Sequence, residues 1–285
     1  MSADPEPGIF SHGRACAWPR RFWQGPVRML TPEEVRTWIL YEDERLLVIN
    51  KPGDVVCHPS KSGPWSSLVG AAREVTGLPT VHLVFRLDRE TSGIVLMAKD
   101  PRMASRLQRA AERHAVSKSY LAVLSGELEG PISVDQPLGD DTASPVFVKS
   151  AVRPDGKRSL THFMPLATAG GFTLARVKTE TGRKHQIRAH AQWMGKSIVG
   201  DKIYGPYPMA YLEFIDGGWT ESLASRLLMR RQALHCAELD LRVAELPLFL
   251  KAPLPEDMRQ FCEAHGLRWE NRTEDPPAPL SAGPG

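Results

Sequence analysis

The stretch Phe85-Arg86-Leu87-Asp88-Arg89-Glu90-Thr91-Ser92-Gly93 runs straight into Ile94-Val95-Leu96-Met97-Ala98 and so sets one carboxylate between two arginines on a turn that feeds an apolar run. A short run without polar interruption reads as a strand buried on both faces. Asp88 then stands at the end of a loop held by rigid structure, the usual place for chemistry. Two readings of it follow: a nucleophile, or half of a surface ion pair with Arg86 or Arg89, since structural pairs perturb carboxylates as active ones do.

Working outward, Arg45 to Asn50 reads as another buried strand, ended by Lys51-Pro52-Gly53. Thr31-Pro32-Glu33-Glu34 has the cap, early proline and acidic first turn of a helix start. Ser67 to Thr76 reads as a helix stopped by Gly77, and Asp100-Pro101 opens another whose Met103, Leu107, Ala110 and Ala111 form one apolar stripe, with Arg102, Arg106, Arg109 and Arg113 elsewhere. Tyr120 to Val123, Phe172 to Thr179 and Ala233 to Leu241 read as strands, Arg183 to Met194 and Pro255 to His265 as helices, the last with Gly266 as its stop. Strand and helix do not alternate regularly, and no glycine motif for cradling phosphates occurs, which disfavours a doubly wound nucleotide-binding fold. The expectation is an α+β domain with a mixed, largely antiparallel central sheet flanked by helices and loops.

With 285 residues and 42% apolar content, the chain can bury a sizeable core. Cys16, Cys57, Cys236 and Cys262 are far apart and lack histidines at ligand spacing, so neither a disulfide framework nor a metal site is expected, and a reducing, cytoplasmic setting follows. No apolar stretch nears the roughly 20 residues of a membrane span, and the N-terminus lacks a secretory apolar region. Residues 1–30 read as a flexible extension, 31–270 as a single folded domain and 271–285, rich in proline and small residues, as a disordered tail. A monomer is expected.

The net charge is only +3, but it is unevenly spread. Eight Lys/Arg face four Asp/Glu between Arg86 and Lys118, and seven face two between Arg176 and Lys202, whereas three face six from Leu254 onward. Basic segments that carry the motifs suit a polyanionic partner. Solvated helix faces are the other reading, above all for Arg102 to Arg113.

The Asp88 segment resembles the motif of the RluA-type pseudouridine synthases, in which His-Arg-Leu-Asp is followed two residues later by Thr-Ser-Gly. Further blocks resemble the same family in the same order: Ile39 to Gly53 with His58-Pro59, Lys118-Ser119-Tyr120-Leu121-Ala122, Thr181-Gly182-Arg183-Lys184-His185-Gln186-Ile187-Arg188-Ala189-His190, Gly200-Asp201-Lys202-Ile203-Tyr204-Gly205 and Arg231-Gln232-Ala233-Leu234-His235. Together they span roughly residues 35 to 250. The chain departs from the pattern at Phe85, usually histidine, and at Lys184, usually threonine or serine.

The resemblance implies the pseudouridine synthase fold and a cofactor-free isomerisation of uridine in ribosomal or transfer RNA, with Asp88 as the catalytic aspartate. It implies that Arg188 holds Asp88 through a two-bond fork, with Arg183 the competing candidate, and that Tyr120 stacks on the target base and takes part in removing the carbon-5 proton. Alone, Tyr120 reads more readily as a core tyrosine with a satisfied hydroxyl. Arg86 would fill the gap left by a flipped base, and Ile187 would pack on that base or belong to the core. His185 reads as RNA-facing or structural. Lys51 and His58 are candidates for RNA contact or for shaping the turn. Two alternatives stand beside this reading: a non-catalytic RNA-binding relative, and a carboxylate-dependent glycoside hydrolase, which would need a second acidic group.

Overall fold

The computed structural model describes residues 28–58 and 63–269; most of the expected N-terminal extension, and all of the expected tail, lie outside the described residues. Thr31 caps α1 (Pro32–Thr37): its hydroxyl accepts from the Glu34 amide while the Glu34 carboxylate accepts from the Thr31 amide, satisfying two otherwise orphan donors. A hairpin of β1 (Ile39–Glu42) and β2 (Leu46–Lys51) follows. Ser67 caps α2 (Leu68–Thr76), which stops where Gly77 turns left-handed. Short β3 (His82–Leu83) leads to the Asp88 loop, and β4 (Ser92–Ala98), buried at every position, leaves it. Asp100 caps α3 (Pro101–Glu112) through the amides of Arg102 and Met103.

The chain continues through β5 (Ser117–Ser125), β6 (Ile132–Asp135), the hairpin of β7 (Leu138–Asp140) and β8 (Ser150–Val152), then β9 (Leu160–Ala169) and β10 (Phe172–Thr179). It closes with α4 (Gln186–Trp193), α5 (Ala210–Gly217), α6 (Glu221–Leu227), β11 (Leu234–Asp240), β12 (Phe249–Lys251) and α7 (Glu256–Ala264). The main sheet runs β1-β2-β4-β11-β5-β10-β9-β6, with β3 also on β4 and β12 also on β11. Every pairing in it is antiparallel except β4 with β11, so the mixed, largely antiparallel sheet is as expected. Among the described residues no helix is long and apolar enough to cross a membrane.

The parallel pair is the seam that positions the site. It is short, pairing Ser92 with His235 and Gly93 with Cys236. Side chains reinforce it: Gln232 Nε2 donates to Thr91 Oγ1 at 2.6 Å, and Ser92 Oγ lies 3.0 Å from His235 Nδ1. Gly93 has φ +109°, and a Cβ there would fall 2.2 Å from the Cys236 carbonyl oxygen. Thr-Ser-Gly and Gln-Ala-Leu-His, about 140 residues apart, are therefore one structural unit.

Three features depart from the expectation. The helix read from Arg183 starts only at Gln186, because His185 takes a left-handed conformation with φ 55°. Strands β6 to β9 escaped notice because short, largely exposed β6 has no clean alternation. Helices α5 and α6 pack through Ala210, Leu223 and Leu227 into a satellite cluster apart from the main core. On α3, Arg106 donates to the carbonyls of Ala244 and Glu245, a structural use of part of the first basic segment.

Gly93→Ala should open the seam. We expect its urea midpoint to fall well below that of Gly130→Ala, where an added Cβ meets nothing within 4 Å. Equal midpoints would show that β4 and β11 can part without cost.

Candidate active site

Asp88 lies in the loop that the seam holds, with its backbone carbonyl accepting from the Thr91 amide. Its side chain remains 28% exposed, at the floor of a cleft. Arg188 reaches it from α4, donating from Nη1 to Asp88 Oδ2 at 2.8 Å. The expected two-bond fork exists, but it grips a different carboxylate. Arg188 Nε and Nη2 donate to the two oxygens of Asp201 at 2.7 and 2.9 Å, leaving one bond for Asp88. The reason is geometric: Asp201 is fully buried, and its Oδ1 also accepts from the amides of Ile203 and Tyr204, so it is a fixed anchor to which the guanidinium plane aligns.

Gly200 explains how Asp201 comes to be there. Its φ is +78°, and a Cβ would lie 2.0 Å from the Arg231 carbonyl oxygen, so the loop can press against the start of the seam only with glycine. The chain of buried groups runs Asp201, Arg188, Asp88. Burial opposes the charge on Arg188, but Asp201 and Asp88 outweigh it and keep it firmly cationic. Burial likewise pushes the Asp88 carboxyl up, yet the Arg188 cation and hydrogen bonding from Arg188 and Gln232 bring it below the ordinary carboxylate range. Asp88 is ionised at neutral pH.

His185 stands beside this pair. One ring nitrogen, Nδ1, lies 3.0 Å from the Tyr204 hydroxyl, and Nε2 lies 3.8 Å from Asp88 Oδ2. Burial, aided by the Arg188 cation, pulls its pKa down to about 4, so the imidazole is neutral and offers hydrogen bonds rather than charge. Tyr204, fully buried, accepts from the Ser150 amide at 2.7 Å and lies with its ring 4.9 Å from the Arg188 guanidinium. Gln186 fixes the start of α4: its Oε1 accepts from Thr181 Oγ1 and the Arg183 amide, and its Nε2 donates to Leu160 O and Thr161 Oγ1.

Tyr120, on β5 beside β11, is 8% exposed and lies against the Cys236 thiol. Burial, Cys236 and the Asp88 charge all raise its pKa well above the ordinary phenol value, so the hydroxyl stays protonated. Asp88, Tyr120, Arg86, Arg183, His185, Ile187, Arg188 and His58 all line one cavity of about 530 Å³, within the roughly 300–1,000 Å³ usual for ligand pockets. Ile187 is 6% exposed and forms part of its wall. No residue of α3 lines it.

Two candidates have partners other than Asp88. Arg183 donates from Nε to the Arg158 carbonyl oxygen and makes no bond to Asp88, so of the two arginines only Arg188 pairs with it. Lys51 corrects the expectation of RNA contact: it is fully buried, and its ammonium donates to the carbonyls of Pro52, Val55 and Arg89, which ties the β2 turn to the Asp88 loop. The two departures from the motif also find places. Lys118 Nζ sits 4.2 Å over the Phe85 ring, and Lys184 pairs with Asp140. Asp201, Tyr204 and Gln232 lay inside quoted blocks and Cys236 just beyond the last, but nothing local marked their roles, since each acts through a partner elsewhere in the chain. Among the described residues no three His, Cys, Asp or Glu side chains converge as a metal cluster.

A family model described as RNA pseudouridylate synthase matches residues 45–193. The chain is 31% identical over 251 residues to ribosomal large subunit pseudouridine synthase D of Escherichia coli K12, covering 86% of this chain and 75% of that one. It is 37% identical over 241 residues to an uncharacterized RNA pseudouridine synthase of Bacillus subtilis, covering 81% and 77%. Among solved structures, human RNA pseudouridylate synthase domain containing 4 superposes with a TM-score of 0.67 at 25% identity, over 84% of this chain and 97% of that one.

The buried imidazoles have a consequence for pH. His185 and His235 both have folded values near 4, against about 6.5 when unfolded. The unfolded chain therefore takes up protons first, and the stability present above pH 6.5 is lost as pH falls toward 4. A urea midpoint followed from pH 7 to 4.5 should decline, with a shallower slope for His185→Gln. A flat midpoint across that window would contradict the neutral, buried imidazoles.

Proposed function

Because the chain belongs to the RNA pseudouridine synthase family and is an RNA-isomerising enzyme of that kind, we propose that Asp88 is its catalytic aspartate, acting on a uridine flipped from ribosomal or transfer RNA into the 530 Å³ cavity. The observation that carries this reading is the ionised Asp88, half-buried at the cavity floor and bonded to an arginine that a second, buried aspartate holds in place. An ionised carboxylate is what the reaction needs. The bond between the sugar and nitrogen 1 breaks, the base turns, a bond forms from carbon 5 to the sugar, the carbon-5 hydrogen leaves as a proton, and nitrogen 1 takes a proton up. Asp88 either stabilises the electron-poor sugar or attacks it covalently, as carboxylates do at other glycosidic centres.

The target base is unreachable within a stacked helix, so it must be extruded at a cost of a few kcal/mol. Arg86, exposed at the cavity rim, is suited to fill the space it leaves. Tyr120 stacks on the base and Ile187 packs against it. Held neutral, the Tyr120 hydroxyl passes on the carbon-5 proton only as part of a relay, so stacking is its larger contribution. Arg183, His58 and His185 are the remaining substrate contacts in this reading. A glycoside hydrolase would need a second carboxylate near Asp88 free to act as acid. Asp201, which shares Arg188 with Asp88, is fully buried and committed to that arginine and two backbone amides, while Glu90 and Asp54 on the other side of Asp88 are paired with Lys202 and Arg89.

The test uses cellular RNA carrying tritium at uridine carbon 5, incubated with the protein in excess chelator. The wild-type protein should release tritium to water with RNA length unchanged, and Asp88→Asn should release none while binding RNA as before. Release within tenfold of wild type from Asp88→Asn would remove Asp88 from the chemistry. No release by folded, RNA-binding wild-type protein from any RNA fraction would favour a passive binder. Arg188→Lys should cost at least a hundredfold in turnover, because one ammonium cannot hold Asp201 with two bonds and still reach Asp88. If it turns over within a few-fold of wild type, the relay from Asp201 is dispensable.

A further inference from the structure

A second cavity, of about 380 Å³, lies on the other side of Asp88. His58, Arg86, Leu87, Asp88, His185 and Arg188 line both cavities and form the ridge between them. Its far wall comes from α5, where Tyr211, Phe214 and Ile215 stand at positions i, i+3 and i+4 and so share one helix face. All three are only half-buried. Phe214 packs in part on the α5–α6 cluster and Tyr211 on the apolar cluster around Tyr204, and each also gives part of its surface to the cavity wall.

The polar lining is equally specific. Lys202 and Glu90 form an ion pair on the wall, and Lys202 Nζ also lies 4.7 Å from the Phe214 ring centre, fixing that ring. Gln232 is 1% exposed, with an amide donor already engaged by Thr91. Burial raises the pKa of the Tyr211 hydroxyl, keeping it a neutral donor. Flat apolar faces, a few fixed donors and acceptors, and space for one heterocycle are the chemistry of a nucleobase site.

We infer that this second cavity is a subsite for the base of the nucleotide next to the target uridine, stacked on Phe214 and Tyr211. The inference rests on the reading of the first cavity as the uridine pocket, and it commits to that occupant because the two cavities share the Asp88 ridge. A nucleotide joined to the flipped uridine by one phosphodiester has to cross that ridge, where exposed His58 and Arg86 stand beside the linkage. Two bases thus leave the stack together, and the enzyme reads the sequence context of its target through α5.

The test takes a synthetic RNA around one uridine that the wild-type protein modifies in cellular RNA, made intact and with an abasic residue at either neighbouring position. Tyr211→Leu combined with Phe214→Leu keeps apolar volume but removes both π faces. Loss of a stacked base is worth about 1–3 kcal/mol, so one of the two abasic positions should raise wild-type KM about tenfold with kcat kept. The double variant should show a similar rise with intact RNA and no further rise with that abasic RNA. Full additivity at both positions, or an unchanged KM for the variant on intact RNA, would overturn the inference while wild-type turnover and the inactivity of Asp88→Asn left the uridine pocket standing. Absence of any wild-type modification would instead overturn the reading of the first cavity.

Discussion

A single guanidinium shared by two carboxylates organises this protein. Arg188 is bound with two hydrogen bonds to buried Asp201 and with one to Asp88. Removing a charge of this kind from water costs several kcal/mol, and the cost is recovered only when geometry is close to ideal and all remaining hydrogen-bonding groups are used. The structure meets that condition unevenly. Asp201 has its oxygens filled by Arg188 and by two amides, whereas Asp88 keeps one oxygen free of Arg188 and faces the cleft. The asymmetry separates an anchoring carboxylate from the one proposed as catalytic, and it keeps Asp88 ionised without burying it completely.

Much of the fold supports that relay. The parallel β4–β11 seam joins the loop before β4 to the strand after Gln232, and the close approaches at Gly93 and Gly200 make the two joints. Lys51 commits its ammonium to two carbonyls of the turn after β2 and one of the Asp88 loop, and the backbone dipoles offset the cost of burying the charge. Its pKa falls to about 8 through burial, which fits a cation surrounded by backbone dipoles rather than by a carboxylate. The family blocks that seem scattered along the chain are thus neighbours around Asp88, each contributing a turn, a close contact or a hydrogen bond.

The division between what was legible in the sequence and what was not follows from the range of each interaction. Caps at Thr31, Ser67 and Asp100 and the left-handed stop at Gly77 are decided within four residues, and they stand where the residue types indicated. Buried β4 was legible from its unbroken apolar run. The pairing of Arg188 with Asp88 rather than Arg183 came from motif position, and a local reading could not have chosen between two arginines five residues apart. The role of Asp201 was invisible, because a lone aspartate in a glycine-flanked turn looks like ordinary turn chemistry until its partner thirteen residues earlier is seen in space. Lys51 was left between RNA contact and shaping the turn, because only the closing of distant chain segments around it shows that its ammonium is buried on backbone carbonyls.

Helices α5 and α6 show where resemblance stops being informative. They fall between the last two recognised blocks, form their own small apolar cluster, and contribute nothing to the seam. Yet α5 turns an aromatic face toward the ridge that carries Asp88. A chemical core held by close glycine contacts tolerates little change, because each contact fails with one added methyl group. A helix packed on a satellite cluster can be reshaped at much lower cost. On the proposed reading of the two cavities, reaction chemistry and the choice of sequence context reside in parts of the molecule under different physical constraints, and they can change independently.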